Sequence, residues 1–156
     1  MAAAGAAAAL SGLIFVAVSI NLRTILDQEK SAGSSYLTGR ALESLAALLV
    51  VLGISLVGLD PSVSRVAFAA VLLTCAAGSA ISPVRAALAY RSTGVKPAAF
   101  SLRMFLAVLL VAGYATAGAT LLARAGGGLH WLPFCFILAV SVAASNAWIL
   151  LVEVLR

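Results

Sequence analysis

Apolar residues run almost unbroken for about twenty positions at five places in the chain, and the charged residues collect in the short stretches between them. A helix rises about 1.5 Å per residue, so about twenty such residues cross a hydrocarbon layer roughly 30 Å thick. The pattern predicts an all-α fold: a polytopic membrane helix bundle of about five transmembrane helices, forming one domain over residues 1–156. The first predicted span is Ala2–Leu22, closed by Arg23, and the second is Ala41–Leu59, stopped at Asp60-Pro61. The third is Val63–Ser82, with Pro83 and Arg85 at its exit. The fourth is Met104–Ala123, closed by Arg124 and the flexible Gly126-Gly127-Gly128, and the fifth is Trp131–Val152, ending at Glu153 and Arg156. The first run has no basic leader, and no clean small-residue cleavage site follows it, so it reads as a retained helix rather than a signal peptide. The tightest boundary is Asp60-Pro61-Ser62, where proline suits a first helical turn.

Composition supports hydrocarbon as the solvent. The chain is 63% hydrophobic and 10% charged, against about 25% charged in a typical soluble domain. Its net charge of +5 sits at the ends of the apolar runs, where topology accounts for it, so nucleic acid is not an expected partner. Cys75 and Cys135 fall inside apolar runs without metal or redox spacing and read as small buried hydrophobes.

Orientation follows from the positive charge. Arg23, Lys30 and Arg40, then Arg85, Arg91, Lys96 and Arg103, then Arg156 share one side, while Arg65 and Arg124 lie on the other. Eight cations against two place the N-terminus outside and the C-terminus in the cytoplasm. An odd number of spans requires the same arrangement. The external side then holds two short turns, too little chain for a binding domain.

Helices in lipid associate where small residues let backbones approach. The third run offers Ala70, Thr74, Gly78 and Ser82, and the fourth Ala112, Thr116 and Thr120 with Gly113 and Ala117 beside them. The fifth offers Ala139, Ala143 and Ala147, and the first is almost all small from Ala2 to Ala9. Such stripes close a bundle within one chain or join chains into a homo-oligomer. No repeat of 20–50 residues is evident, which counts against many transporter architectures.

The central thirds of the five runs hold no Asp, Glu, Lys, Arg or His. Candidate polar groups gather toward the cytoplasmic ends: Asn21, Arg40, Glu43, Arg85, Arg103, Asn146 and Glu153. An ionisable group at membrane depth is expensive and carries a functional hypothesis. Glu43, Asn146 and Glu153 are expected either to coordinate a cation or proton, or to form a helix cap whose carboxylates are neutralised by Arg85 or Arg103. The segment from Arg85 to Arg103 carries four cations and no acid, so anionic lipid or an acidic partner is expected at Arg85, Arg91, Lys96 and Arg103, beside the simple topological bias. Trp131, Tyr90 and Trp148 read as interfacial anchors or packing residues. His130 stands alone beside Cys135 and lacks the companions of a metal site. No catalytic, cofactor-binding or metal motif is expected, and Ser31–Ser35 reads as a flexible connection.

Three segments carry a family likeness: Phe15–Arg23, Gly39–Glu43 and Asn146–Arg156. They resemble a group of small bacterial multipass inner-membrane proteins, some of them labelled modulators of the FtsH protease. The likeness touches the first, second and last spans and includes Asn21, Arg23, Arg40, Glu43, Asn146, Glu153 and Arg156. It implies a bacterial plasma-membrane protein. An accessory or modulator of another membrane complex, without a cofactor, is the expected role because the sequence offers no ectodomain, no catalytic set and no polar line across the bilayer. The rival expectation is a small homo-oligomeric channel or transporter with a cytoplasm-facing acidic and amide site.

Overall fold

A backbone amide placed in hydrocarbon must find its partner within its own segment, so a single apolar run has the helix as its stable form. The computed structural model describes residues 1–32, 36–93, 100–125 and 127–155; within these, the side chains of 24, 28–29, 31–32, 36–37, 40, 86, 89–93, 100–103 and 149–155 lie outside the described set. The helices are α1 (Ala2–Ala32), α2 (Tyr36–Val57), α3 (Arg65–Thr93), α4 (Phe100–Ala123) and α5 (Leu132–Leu155), with a 3₁₀ turn at Gly128–Trp131 before the last. Among the described residues there is no strand.

Four of the helices are long and apolar enough to cross a membrane, and α2 contributes a shorter apolar stretch, Ala41–Val57. The third helix differs from expectation. It begins at Arg65 and passes through Pro83 to Thr93, whereas the pattern predicted Val63–Ser82 with Pro83 at the exit. Proline removes one N–H and crowds the carbonyl four residues back; here the lost bond falls at Ser79, and the turns on either side hold. Pro61, in contrast, lies in the irregular turn before α3 and outside any helix. Likewise α1 continues to Ala32, beyond the predicted end at Leu22, so the described residues between the first and second predicted spans, and between the third and fourth, are helical. The rest of the predicted Ser31–Ser35 connection, residues 33–35, lies outside the described residues.

The chain divides into two compact units, Met1–Ser55 with Ala139–Arg156, and Leu56–Leu138. In the first unit, α2 buries Ala41, Ser44, Leu48, Val51 and Ile54, a three-and-four spacing that keeps them on one face. Ile25 of α1 packs with Ala41, and Val18 lies against them. The end of α5 buries Ala139, Val142, Ala143 and Asn146.

In the second unit α3 and α4 pack together along their buried faces. A Cβ built on Gly118 would stand 2.9 Å from Leu73 and 3.2 Å from the Ala69 carbonyl oxygen, so glycine lets the two backbones approach. A Cβ on Gly113 would run into the Cys135 sulfur. The expected small-residue stripe on α3 is not the packed one: Ala70, Thr74 and Gly78 are exposed, and Gly78 has open space around it. The buried face runs one step round, through Phe68, Ala69, Leu72 and Ala76. Larger side chains gain more dispersion when enclosed, and the Thr74 hydroxyl is already satisfied by the Ala70 carbonyl at 2.8 Å. On α4 the same shift selects Gly113, Ala117 and Gly118 over Ala112 and Thr116, which are exposed. On α5, Ala139 and Ala143 are buried, as the spacing predicts.

Local chemistry sets the helix ends. Ser64 caps α3: its hydroxyl accepts from the Ala67 N–H at 3.2 Å, the usual third position past a cap. Before it, the Asp60 carboxylate accepts from the Ser62 N–H at 2.8 Å and the Ser62 hydroxyl at 2.6 Å. At the end of α4, the Ala125 N–H reaches back to the Thr120 carbonyl at 3.3 Å, and Arg124 takes the left-handed conformation with φ 55°. Glycine usually fills that position in such a cap. Gly128 then lies so close to the last turn of α4 that a Cβ would stand 2.9 Å from the Ala117 carbonyl and 3.0 Å from the Leu121 nitrogen.

These ends make two predictions. In detergent-solubilised protein, Arg124→Gly should raise stability by up to about 1 kcal/mol, since left-handed strain of about 1–2 kcal/mol outweighs glycine's added chain freedom of about 0.5–1 kcal/mol. Gly128→Ala should lower it by about 1–3 kcal/mol through overpacking against backbone atoms; thermal unfolding that moves opposite to these signs would contradict the cap geometry. The Ser62 hydroxyl and then its N–H hold the Asp60 carboxyl below the usual carboxylate range, against a smaller effect of burial. A carboxylate with a depressed folded pKa contributes stability above its unfolded value of about 3.9 and loses it as pH falls through the folded one. Thermal unfolding should therefore show an acid-sensitive component below about pH 4 that Asp60→Asn removes; identical acid profiles for the two proteins would exclude it.

Candidate functional site

Hydroxyls and amides on a lipid-facing helix need an acceptor, and the nearest is the carbonyl one turn back. The chain uses this device repeatedly. Thr120 donates to the Thr116 carbonyl at 2.7 Å, Ser145 to Ser141 at 2.7 Å and Thr116 to Gly113 at 3.0 Å. Asn21 belongs to the same class, since its Nδ2 donates to the Ala17 carbonyl at 2.9 Å. That contact stays within α1 and ties no second element to it.

Asn146 behaves differently. It is 3% exposed, and its Nδ2 donates across to the Glu43 Oε2 at 3.5 Å, joining α5 to α2 within the first unit. A long hydrogen bond of this kind is weak in distance terms, but a carboxylate acceptor strengthens it. Both residues were singled out in the sequence, and the fold brings them together. Ser44, the neighbour of Glu43, is fully buried on the α2 face. The sequence reading missed it, although its place in the series Ala41, Ser44, Leu48 and Val51 was a usable signal.

The remaining predicted residues are distributed as follows. Arg85 is exposed on α3 and belongs, with Arg103 at the start of α4, to the second unit. Arg40 and Glu153 lie in α2 and α5, and the side chains of Arg40, Arg103 and Glu153 lie outside the described residues. Lys96 also lies outside them. Trp131 and Trp148 are both exposed. His130 is exposed, and its Nδ1 lies 3.2 Å from the Gly127 carbonyl, so the ring closes the 3₁₀ turn. Among the described residues, no three His, Cys, Asp or Glu side chains are grouped to hold a metal ion.

Tyr114 was not foreseen. It is fully buried in α4, and its hydroxyl has no hydrogen-bond partner among the described residues. A buried phenol normally finds one.

No family model, curated protein or solved structure matches the chain. The chemistry of the site therefore rests on its own geometry. One carboxylate and one amide, each about two turns or more inside its helix, make a polar clamp between α2 and α5.

Interhelical polar contacts in membranes contribute about 0.6 kcal/mol on average and at most about 1.7 kcal/mol. A double-mutant cycle of Glu43→Leu and Asn146→Leu in detergent should give a coupling in that range, toward its lower end given the long contact. A coupling indistinguishable from zero would show that the two side chains do not act together.

Proposed function

We propose that the chain is a five-span protein of the bacterial plasma (inner) membrane, with its N-terminus outside and its C-terminus in the cytoplasm. It acts as an accessory or modulator of another membrane complex, through helix faces and its cytoplasmic rim. The fifth span is α2. Its apolar part, Ala41–Val57, has 17 residues, the lower end of the workable range of about 17–25. The whole of α2 has 22 residues, or about 33 Å of helix. Local thinning of the bilayer and snorkelling of flanking side chains absorb such a mismatch at modest cost. The likeness of the first, second and last spans to small inner-membrane proteins, some labelled modulators of the FtsH protease, points the same way.

The observation that carries this reading is the amount of helix surface left bare within the chain. Only 11% of the α1 span is buried. On α3, Ala70, Thr74 and Gly78 face outward, with open space at Gly78. Small residues on an open face permit the close backbone approach by which membrane helices associate. The Glu43–Asn146 clamp occupies a deep carboxylate and a deep amide with each other, the arrangement of a structural tie.

Site-specific photo-crosslinking in living cells tests the reading. A photoreactive residue at Gly78 or Thr74 should give an adduct of one defined mass with a different membrane protein, and one at buried Ala69 should not. Recovery of only a homo-oligomer that conducts ions in liposomes, with flux altered by Glu43→Gln, would replace this reading with the channel.

A further inference from the structure

We infer that the end of the α3–α4 hairpin carrying Arg85 and Arg103 binds the phosphate headgroups of anionic phospholipid. The inference rests on the membrane placement proposed above and deepens it by naming the ligand of one rim.

The register of the hairpin puts the two arginines at the same height at one end of it. Gly118 of α4 lies against Ala69 and Leu73 of α3. Six residues, 94–99, separate the two helices, and a stretch of that length spans at most about 20 Å. A parallel pair in the Gly118 register would leave about 60 Å between the end of α3 and the start of α4, so the pair is antiparallel. Arg103 lies fifteen residues before Gly118, and fifteen residues after Ala69 and Leu73 fall at Val84 and Leu88. Arg103 is therefore level with Arg85. Arg91, about one and two-thirds turns further along α3, lies toward the same end.

Topological bias explains why this end is positive, but not how unevenly the charge is shared. Between Arg23 and Glu43 the sequence holds Arg23, Lys30 and Arg40 against Asp27, Glu29 and Glu43, an even balance. Between Arg85 and Arg103 it holds four cations and no acid. One rim segment is neutral and the other is uncompensated.

The surroundings of Arg85 select lipid over an acidic protein. Ile81, Val84 and Leu88 are 54%, 54% and 58% exposed, and with Arg85 they share one face of α3 by three-and-four spacing. The guanidinium stem rises from a side that stays apolar for a further turn beyond it. An arginine set into an acyl-chain face reaches upward to the headgroup layer, and its planar fork matches a phosphate. An acidic soluble partner would call for a polar surround, which this face does not offer.

The test uses the full chain purified in mild detergent and probed with phosphatidylglycerol or phosphatidylcholine of identical acyl chains, with bound lipid read by native mass spectrometry. Wild-type protein should retain phosphatidylglycerol several-fold more than phosphatidylcholine, with the preference falling as salt rises. Arg85→Gln with Arg103→Gln should lose most of that preference, and Arg23→Gln with Lys30→Gln should keep it. Equal retention of the two lipids, an unchanged preference in the Arg85/Arg103 variant, or displacement of phosphatidylglycerol by a polyglutamate peptide would overturn the inference. If the variant does not fold, the wild-type preference and its salt dependence decide alone. Failure of the membrane reading is separately visible as a chain that stays monodisperse without detergent.

Discussion

Hydrocarbon offers no hydrogen bonds, and the four helices long and apolar enough to cross a membrane are built to meet that deprivation. Backbone amides close on themselves, so each apolar run becomes a helix. Side-chain hydroxyls meet the same problem and solve it locally, as Thr74, Thr116, Thr120 and Ser145 do by bonding to carbonyls within their own helices. With their donors spent inside their own helices, these groups give up no hydrogen to a neighbour, and packing is left largely to shape. Close approach then falls at glycines, with Gly118 against Ala69 and Leu73, Gly113 against Cys135, and Gly128 against the last turn of α4. The cross-helix bond from Asn146 to Glu43 is the contrasting case, since there a polar group reaches a different element.

The helices were legible in the sequence because the solvent requirement acts on every residue of a run. Their ends were less so. The pattern stops α3 at Pro83, yet the helix continues ten residues to Thr93. A proline costs one hydrogen bond and a local clash, and propagation on either side outweighs that. Hydropathy marks where hydrocarbon ends and says nothing about where a helix ends, which is why the basic extensions of α1 and α3 read as connections.

The buried faces were legible only in part. Four-residue spacing found Ala139 and Ala143 on α5, but on α3 it marked Ala70, Thr74 and Gly78, which are exposed, and not Ala69, Leu72 and Ala76, which are buried within the chain. In water, polarity separates the inner face of a helix from the outer. In lipid both faces are apolar, and several small-residue stripes compete on one helix, so shape complementarity with a particular neighbour decides among them. The pairing of Glu43 with Asn146 was foreshadowed by their rarity, because deep polar residues have few places to go. Ser44 and Tyr114 escaped notice since each is an ordinary residue type whose burial depends on the fold.

The proposed five-span arrangement requires that an odd number of helices cross the bilayer. Reporter fusions at the two termini test it most directly, with alkaline phosphatase reporting the outer compartment and a fluorescent protein the cytoplasm. Phosphatase activity at the N-terminus and fluorescence at the C-terminus are predicted. The same compartment for both ends would contradict the five-span arrangement and its basic cytoplasmic rim.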